Sequence, residues 1–123
     1  MKMFGVLGSL GLFVGVALGA FGAHALKTRL STDMLAVFDT GVRYQIYHSL
    51  ALLLVQIFVR TGPVFGLAGW FYVAGIILFS FSLYALALTG TRSFGAITPI
   101  GGICFLIGHL TLLYGFIRMQ API

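Results

Sequence analysis

The chain has 123 residues, of which 60% are hydrophobic and 7% charged, and a formal net charge of +5. A soluble domain carries about 25% charged residues, so water is not the main solvent of this one. The seven basic residues (Lys2, Lys27, Arg29, Arg43, Arg60, Arg92, Arg118) stand singly or as a pair between long uncharged stretches, which excludes the basic face of a nucleic-acid binder and suits the ends of membrane spans.

The first span is expected from about residue 3 to 23, long enough for a hydrocarbon core about 30 Å thick. Lys2, the apolar stretch and the "AHA" at 23–25 have the outline of a cleaved signal. The apolar stretch outruns a normal signal core of about 7–15 residues, however, and three further spans follow, so the segment reads as retained. At 100° per residue Gly8, Gly11, Gly15, Gly19 and Gly22 fall within a sector of about 80°. A continuous glycine strip lets a neighbouring backbone approach closely, within the chain or between copies. His24 is expected just beyond the last turn of this span.

Between the first two spans, Ser31 and Thr32 are cap candidates, Asp33 sits in a first turn, and Met34, Leu35, Val37 and Phe38 cluster. This pattern predicts a short interfacial helix over 32–40, with an N-terminal extension of the second span as the alternative. Asp39 and Arg43 have the i,i+4 spacing of a charge pair, and with His24 they are expected to close one end of the bundle.

The second span, about 42–59, carries a polar strip. With Gln45 at zero, Gln56, Ser49 and His48 fall at about 20°, 40° and −60° on the helical wheel, a face that must meet protein rather than lipid. The third span is expected over 66–88, with Ser80 and Tyr84 as an i,i+4 pair. The fourth is expected over 97–117, with Pro99 in its first turn and His109 on the face of Thr98, Gly102 and Phe105. These polar groups can supply partners for Gln45 and His48 or line a small polar pocket, together with Tyr44. The connections at 60–65 and 89–95 are short and rich in turn formers, which makes successive spans antiparallel neighbours.

Chemistry is poorly provided for. The chain has no glutamate, its two aspartates lie outside the spans, no two histidines are i,i+4, and the single cysteine is Cys104. No metal, cofactor or catalytic residue is expected from this set, and an enzyme is not the expected class. With four spans, Lys2, Arg60 and Arg118 lie on one side and Lys27, Arg29, Arg43 and Arg92 on the other, so charge sets no orientation.

The motifs "GAFGAHAL" at 19–26, "FDTGVRYQIYHSLALL" at 38–53 and "SLYALALTGTRSFGAITPIGG" at 82–102 resemble a family of small four-span membrane proteins. Its bacterial members are uncharacterised inner or plasma membrane proteins and its animal relatives are small mitochondrial transmembrane proteins. The resemblance covers essentially the whole chain and implies four transmembrane helices in the bacterial cytoplasmic membrane, without a substrate or reaction. It maps onto Gly19, Gly22, His24 and Ala25, onto Thr40, Gly41, Tyr44, Gln45 and His48, and onto Ser82, Leu83, Tyr84, Thr98, Pro99 and Gly102. The chain departs from the pattern at Phe81, where glycine often precedes "SLY", and at His109, where tryptophan is common.

The expected fold is therefore all-α, a four-helix transmembrane bundle in one domain, 1–123, with an interfacial helix between the first two spans. Its partners are membrane lipids, with a homo-oligomer or larger membrane complex in view and no nucleic acid. A structural or assembly role through helix contacts is the leading expectation, and a small-solute or proton-coupled transporter built by an oligomer is the runner-up.

Overall fold

The computed structural model describes residues 2–120. Among these, four helices are long and apolar enough to cross a membrane: α1, Met3–Leu26; α2, Thr32–Thr61; α3, Pro63–Thr89; and α4, Ser93–Arg118. Close contacts run between consecutive helices, α1 on α2, α2 on α3 and α3 on α4, as short connections require of antiparallel neighbours.

α1 opens with no side-chain cap on its own strand of sequence. The Gly5 N–H, one of the first-turn donors a helix leaves unpaired, donates instead across the interface to Gln56 Oε1 at 2.9 Å. Near its other end a π-helical turn, Leu18–Gly22, precedes the final turn Ala23–Leu26. His24 therefore lies inside the last turn rather than beyond it.

α2 corrects the expected interfacial helix over 32–40, because the helix runs unbroken from Thr32 to Phe58 before a 3₁₀ turn. Its start follows from the local sequence: the Met34 N–H donates to Ser31 Oγ at 3.2 Å, and Asp33 occupies the first turn. Gly41 does not end it. A glycine inside a helix costs about 1 kcal/mol relative to alanine, and here it permits a close approach. A Cβ at Gly41 would lie 2.8 Å from Tyr84 Cε1 and 3.1 Å from the Ser80 carbonyl oxygen. Thirty residues make a rod about 45 Å long, more than the hydrocarbon layer of about 30 Å.

α3 contains a second π-helical turn, Ile76–Ser80, and closes at Gly90. This residue takes the left-handed conformation (φ 70°) and donates its N–H to the Leu86 carbonyl at 2.8 Å. α4 begins at Ser93, so Pro99 lies in the second turn and not in the first. Proline there deprives the Gly95 carbonyl of its helical donor. Two residues on, α4 comes against the π turn of α3: a Cβ at Gly101 would stand 2.6 Å from the Leu78 carbonyl carbon.

The main apolar core gathers Phe4, Leu52, Val55, Ala68, Tyr72, Ile76 and Phe105, and a smaller cluster joins Phe38, Val42 and Ala87. Large apolar side chains such as Phe13, Phe21, Leu110 and Ile117 point outward, as a lipid solvent allows.

Candidate functional site

The polar strip of α2 and the glycine strip of α1 face each other. A Cβ at Gly8 would stand 2.8 Å from the Ser49 carbonyl oxygen, one at Gly15 2.8 Å from Ile46 Cγ1, and one at Gly19 3.1 Å from Val42 Cγ1. At Gly11 it would run into Ser49 Oγ, while Gly22 has ordinary contact with Phe38. The strip is thus covered by α2 of the same chain. Bare glycine backbone is also what Gln45 needs, since its Nε2 donates to the Gly11 carbonyl at 2.9 Å. Its Oε1 accepts from Tyr84 Oη at 2.7 Å. One buried amide therefore ties α1 and α3 to α2.

The second polar group lies about 60° round α2 from the first. His48 Nδ1 is 2.7 Å from the Tyr44 carbonyl oxygen, His48 Nε2 is 3.0 Å from His109 Nε2, and His109 Nδ1 is 2.8 Å from Tyr72 Oη. A carbonyl can only accept, so Nδ1 of His48 carries the proton. With neutral rings His48 Nε2 is then an acceptor, His109 Nε2–H the donor and His109 Nδ1 an acceptor, which makes Tyr72 donate. Every ring nitrogen is engaged and the chain of bonds has one direction. Glycines position it: a Cβ at Gly108 would lie 2.8 Å from Tyr72 Cε1, and one at Gly75 would collide with the Phe105 ring. Phe105 in turn stacks on His48, centroids 3.5 Å apart and planes 9° from parallel.

Other expected site residues fall outside these two groups. Thr98 Oγ1 is 2.6 Å from Ser82 Oγ, which also donates to the Phe79 carbonyl at 2.8 Å. Ser80 and Ser49 are buried, and their hydroxyls have no hydrogen-bond partner within the described residues. Tyr44 tilts against Phe79 with centroids 4.6 Å apart. Asp39 and Arg43 form an exposed pair at 3.2 Å, a contact worth about 0.3–0.5 kcal/mol at this spacing. The expected three-way contact with His24 is not made: His24 is exposed and, among the described residues, bonds neither partner. It projects from a different helix end.

The sequence reading missed Tyr72 and the pairing of Ser82. A tyrosine hydroxyl deep in an apolar segment needs a partner, and that was the available signal for Tyr72. Nothing local signals the π turn that sets Phe79 and Ser82 against α4.

Between α2 and α4 the side chains leave a lateral groove of 570 Å³, lined by Tyr44, Tyr47, His48, Pro99, Gly102 and Phe105 among others. A narrower apolar cleft of 240 Å³ lies between α1 and α3 over Gln45.

The model of the family described as "Protein of unknown function (DUF423)" matches residues 18–102. The chain belongs to this family. A UPF0382 membrane protein of Staphylococcus saprophyticus is 45% identical over 120 residues, which is 97% of this chain and 100% of the relative. One from Staphylococcus aureus is 46% identical over 114 residues, 92% of this chain and 93% of its own. The UPF0382 membrane protein YwdK of Bacillus subtilis is 40% identical over 121 residues, 96% and 98% of the two chains. No solved structure matches the chain. With four apolar helices and relatives that are bacterial membrane proteins over their full length, this is a multi-pass bacterial membrane protein whose helices pack closely.

Proposed function

We propose that the protein is a non-enzymatic structural or assembly component of the cytoplasmic membrane, acting through helix–helix contacts. The observation that carries this reading is that the amide of Gln45 and the imidazoles of His48 and His109 bond other helices of the same bundle. In hydrocarbon such bonds fix one arrangement of helices. Because α2 already covers the glycine strip, a partner meets the outward faces of large apolar side chains instead, on α1 or α4. Kinship with small mitochondrial transmembrane proteins belongs to the same proposal and rests on the three motifs.

Crosslinking in native membrane followed by purification tests the reading. A reproducible membrane-protein partner or a defined homo-oligomer is the expected result. A chain recovered only as a monomer, in several detergents and in native lipid extracts, would count against it.

One observation favours a second reading, an oligomeric transporter: the groove between α2 and α4 brings His48 and His109 to a lateral opening. Solute flux into proteoliposomes that disappears in His48→Gln would support that reading.

A further inference from the structure

The groove between α2 and α4 has a composition that specifies its occupant. No charged side chain lines it, and a neutral molecule suits an uncharged site at membrane depth. Its rim residues Ile103 and Leu106 are 56% and 65% exposed on the lipid-facing surface, so the route of entry is sideways from the bilayer. One wall is the near-parallel stack of His48 on Phe105, continued by Tyr44 against Phe79. The other is Pro99 and Gly102, which put no long side chain into the space. The groove therefore offers aromatic ring faces on which a flat ring can pack.

The polar capacity of the groove is equally specific. His48 and His109 have no free ring nitrogen, since each one is bonded to Tyr44, Tyr72 or the other imidazole. Tyr44 and Tyr47 line the groove with hydroxyls that make no hydrogen bond within the described residues. Both residues lie near the midpoint of α2, Thr32–Thr61. Free hydroxyl donors and apolar ring faces therefore stand together along the groove. At 570 Å³ the space is of the size that holds small ligands, about 300–1,000 Å³.

We propose that this groove binds a neutral, membrane-dissolved ring compound that bears acceptor oxygens, the chemistry of a quinone, with the ring packed on the aromatic side chains beside Gly102 and an oxygen on Tyr44 or Tyr47. The inference concerns binding alone and is independent of the assembly reading.

The probe is menadione, a tail-less naphthoquinone, titrated calorimetrically into the full chain in nanodiscs against empty nanodiscs. Saturable binding of one molecule per chain is expected. A Cβ at Gly102 makes only ordinary contact, 3.8 Å from Phe79 Cδ2, so Gly102→Phe fills the groove from within and should reduce affinity at least about tenfold. Ile103→Trp, placed on the exposed rim, narrows the mouth without entering the core and decides the matter if Gly102→Phe fails to fold. Tyr44→Phe with Tyr47→Phe should weaken menadione about tenfold, and 2-methylnaphthalene, the same ring without oxygens, should bind weakly to every form. Partitioning no greater than into empty nanodiscs, or equal binding by wild type and both groove variants, would overturn the proposal. So would equal affinity for 2-methylnaphthalene and menadione, which would mark the groove as a seat for lipid chains.

Discussion

The Gln45 Nε2 atom donates to the carbonyl oxygen of Gly11, 2.9 Å away on the neighbouring helix. A side chain at Gly11 would hold the two helices apart, and a helix without an amide at position 45 would leave the close approach unused. The glycine strip and the polar strip are thus two halves of one interface. Gln56, which caps the Gly5 N–H, repeats the relation near the other end of α1.

The first prediction concerns that interface. Gly8→Ala should destabilise the bundle by about 1–3 kcal/mol, because the new methyl would press on the Ser49 carbonyl, which is backbone and cannot swing aside. Gly62→Ala is the control, with extended backbone and nothing within 4 Å of the added carbon; its effect should stay within about 0.5 kcal/mol. Unfolding in mixed micelles at two protein concentrations measures both. The Gly8 loss should be the same at each, since the contact is made within one chain.

Gln45 and Tyr84 should be energetically coupled. A double-mutant cycle with Gln45→Leu and Tyr84→Phe is expected to give a coupling of about 0.6–1.7 kcal/mol, the range found for hydrogen bonds between membrane helices. Additive losses would mean that the 2.7 Å contact holds nothing.

The histidine chain predicts tautomers. Nitrogen NMR of the two imidazoles should show His48 protonated at Nδ1 and His109 at Nε2, because the Tyr44 carbonyl fixes the direction of every later bond. His109→Phe leaves His48 Nε2 and Tyr72 Oη without a partner and should cost about 1–3 kcal/mol. His109→Trp keeps an N–H donor toward His48 and loses only the acceptor for Tyr72, so its cost should be smaller. The same micelle unfolding assay orders the two variants.

Four spans were legible in the sequence because long, predominantly apolar stretches with almost no charge have one stable fate. The facing of Gly11 and Gln45 was half legible: each strip stood out by helical periodicity, but no periodicity within one helix says which neighbour it meets. The interfacial helix at 32–40 failed for a related reason. The cap at Ser31 and the apolar cluster that follows mark where a helix starts but not where it stops, and Gly41 lies inside that helix where Tyr84 and the Ser80 carbonyl of another helix approach closely. The grouping of His24 with Asp39 and Arg43 rested on shared membrane side alone, and sharing a side does not bring side chains into contact. Tyr72, and the π turn at Ile76–Ser80, depend on how α4 docks.

The most direct test of the interface claim is disulfide trapping of Gly11→Cys with Ser49→Cys in a Cys104→Ser background. The Cβ atoms are placed 3.1 Å apart, so a shift of a few tenths of an ångström reaches the range of about 3.5–4.5 Å that a disulfide prefers. Oxidation in native membrane should give a crosslink within one chain, seen as a monomer of altered mobility on a non-reducing gel. Covalent dimers in its place would mean that the glycine strip meets another copy, and that α2 does not cover it.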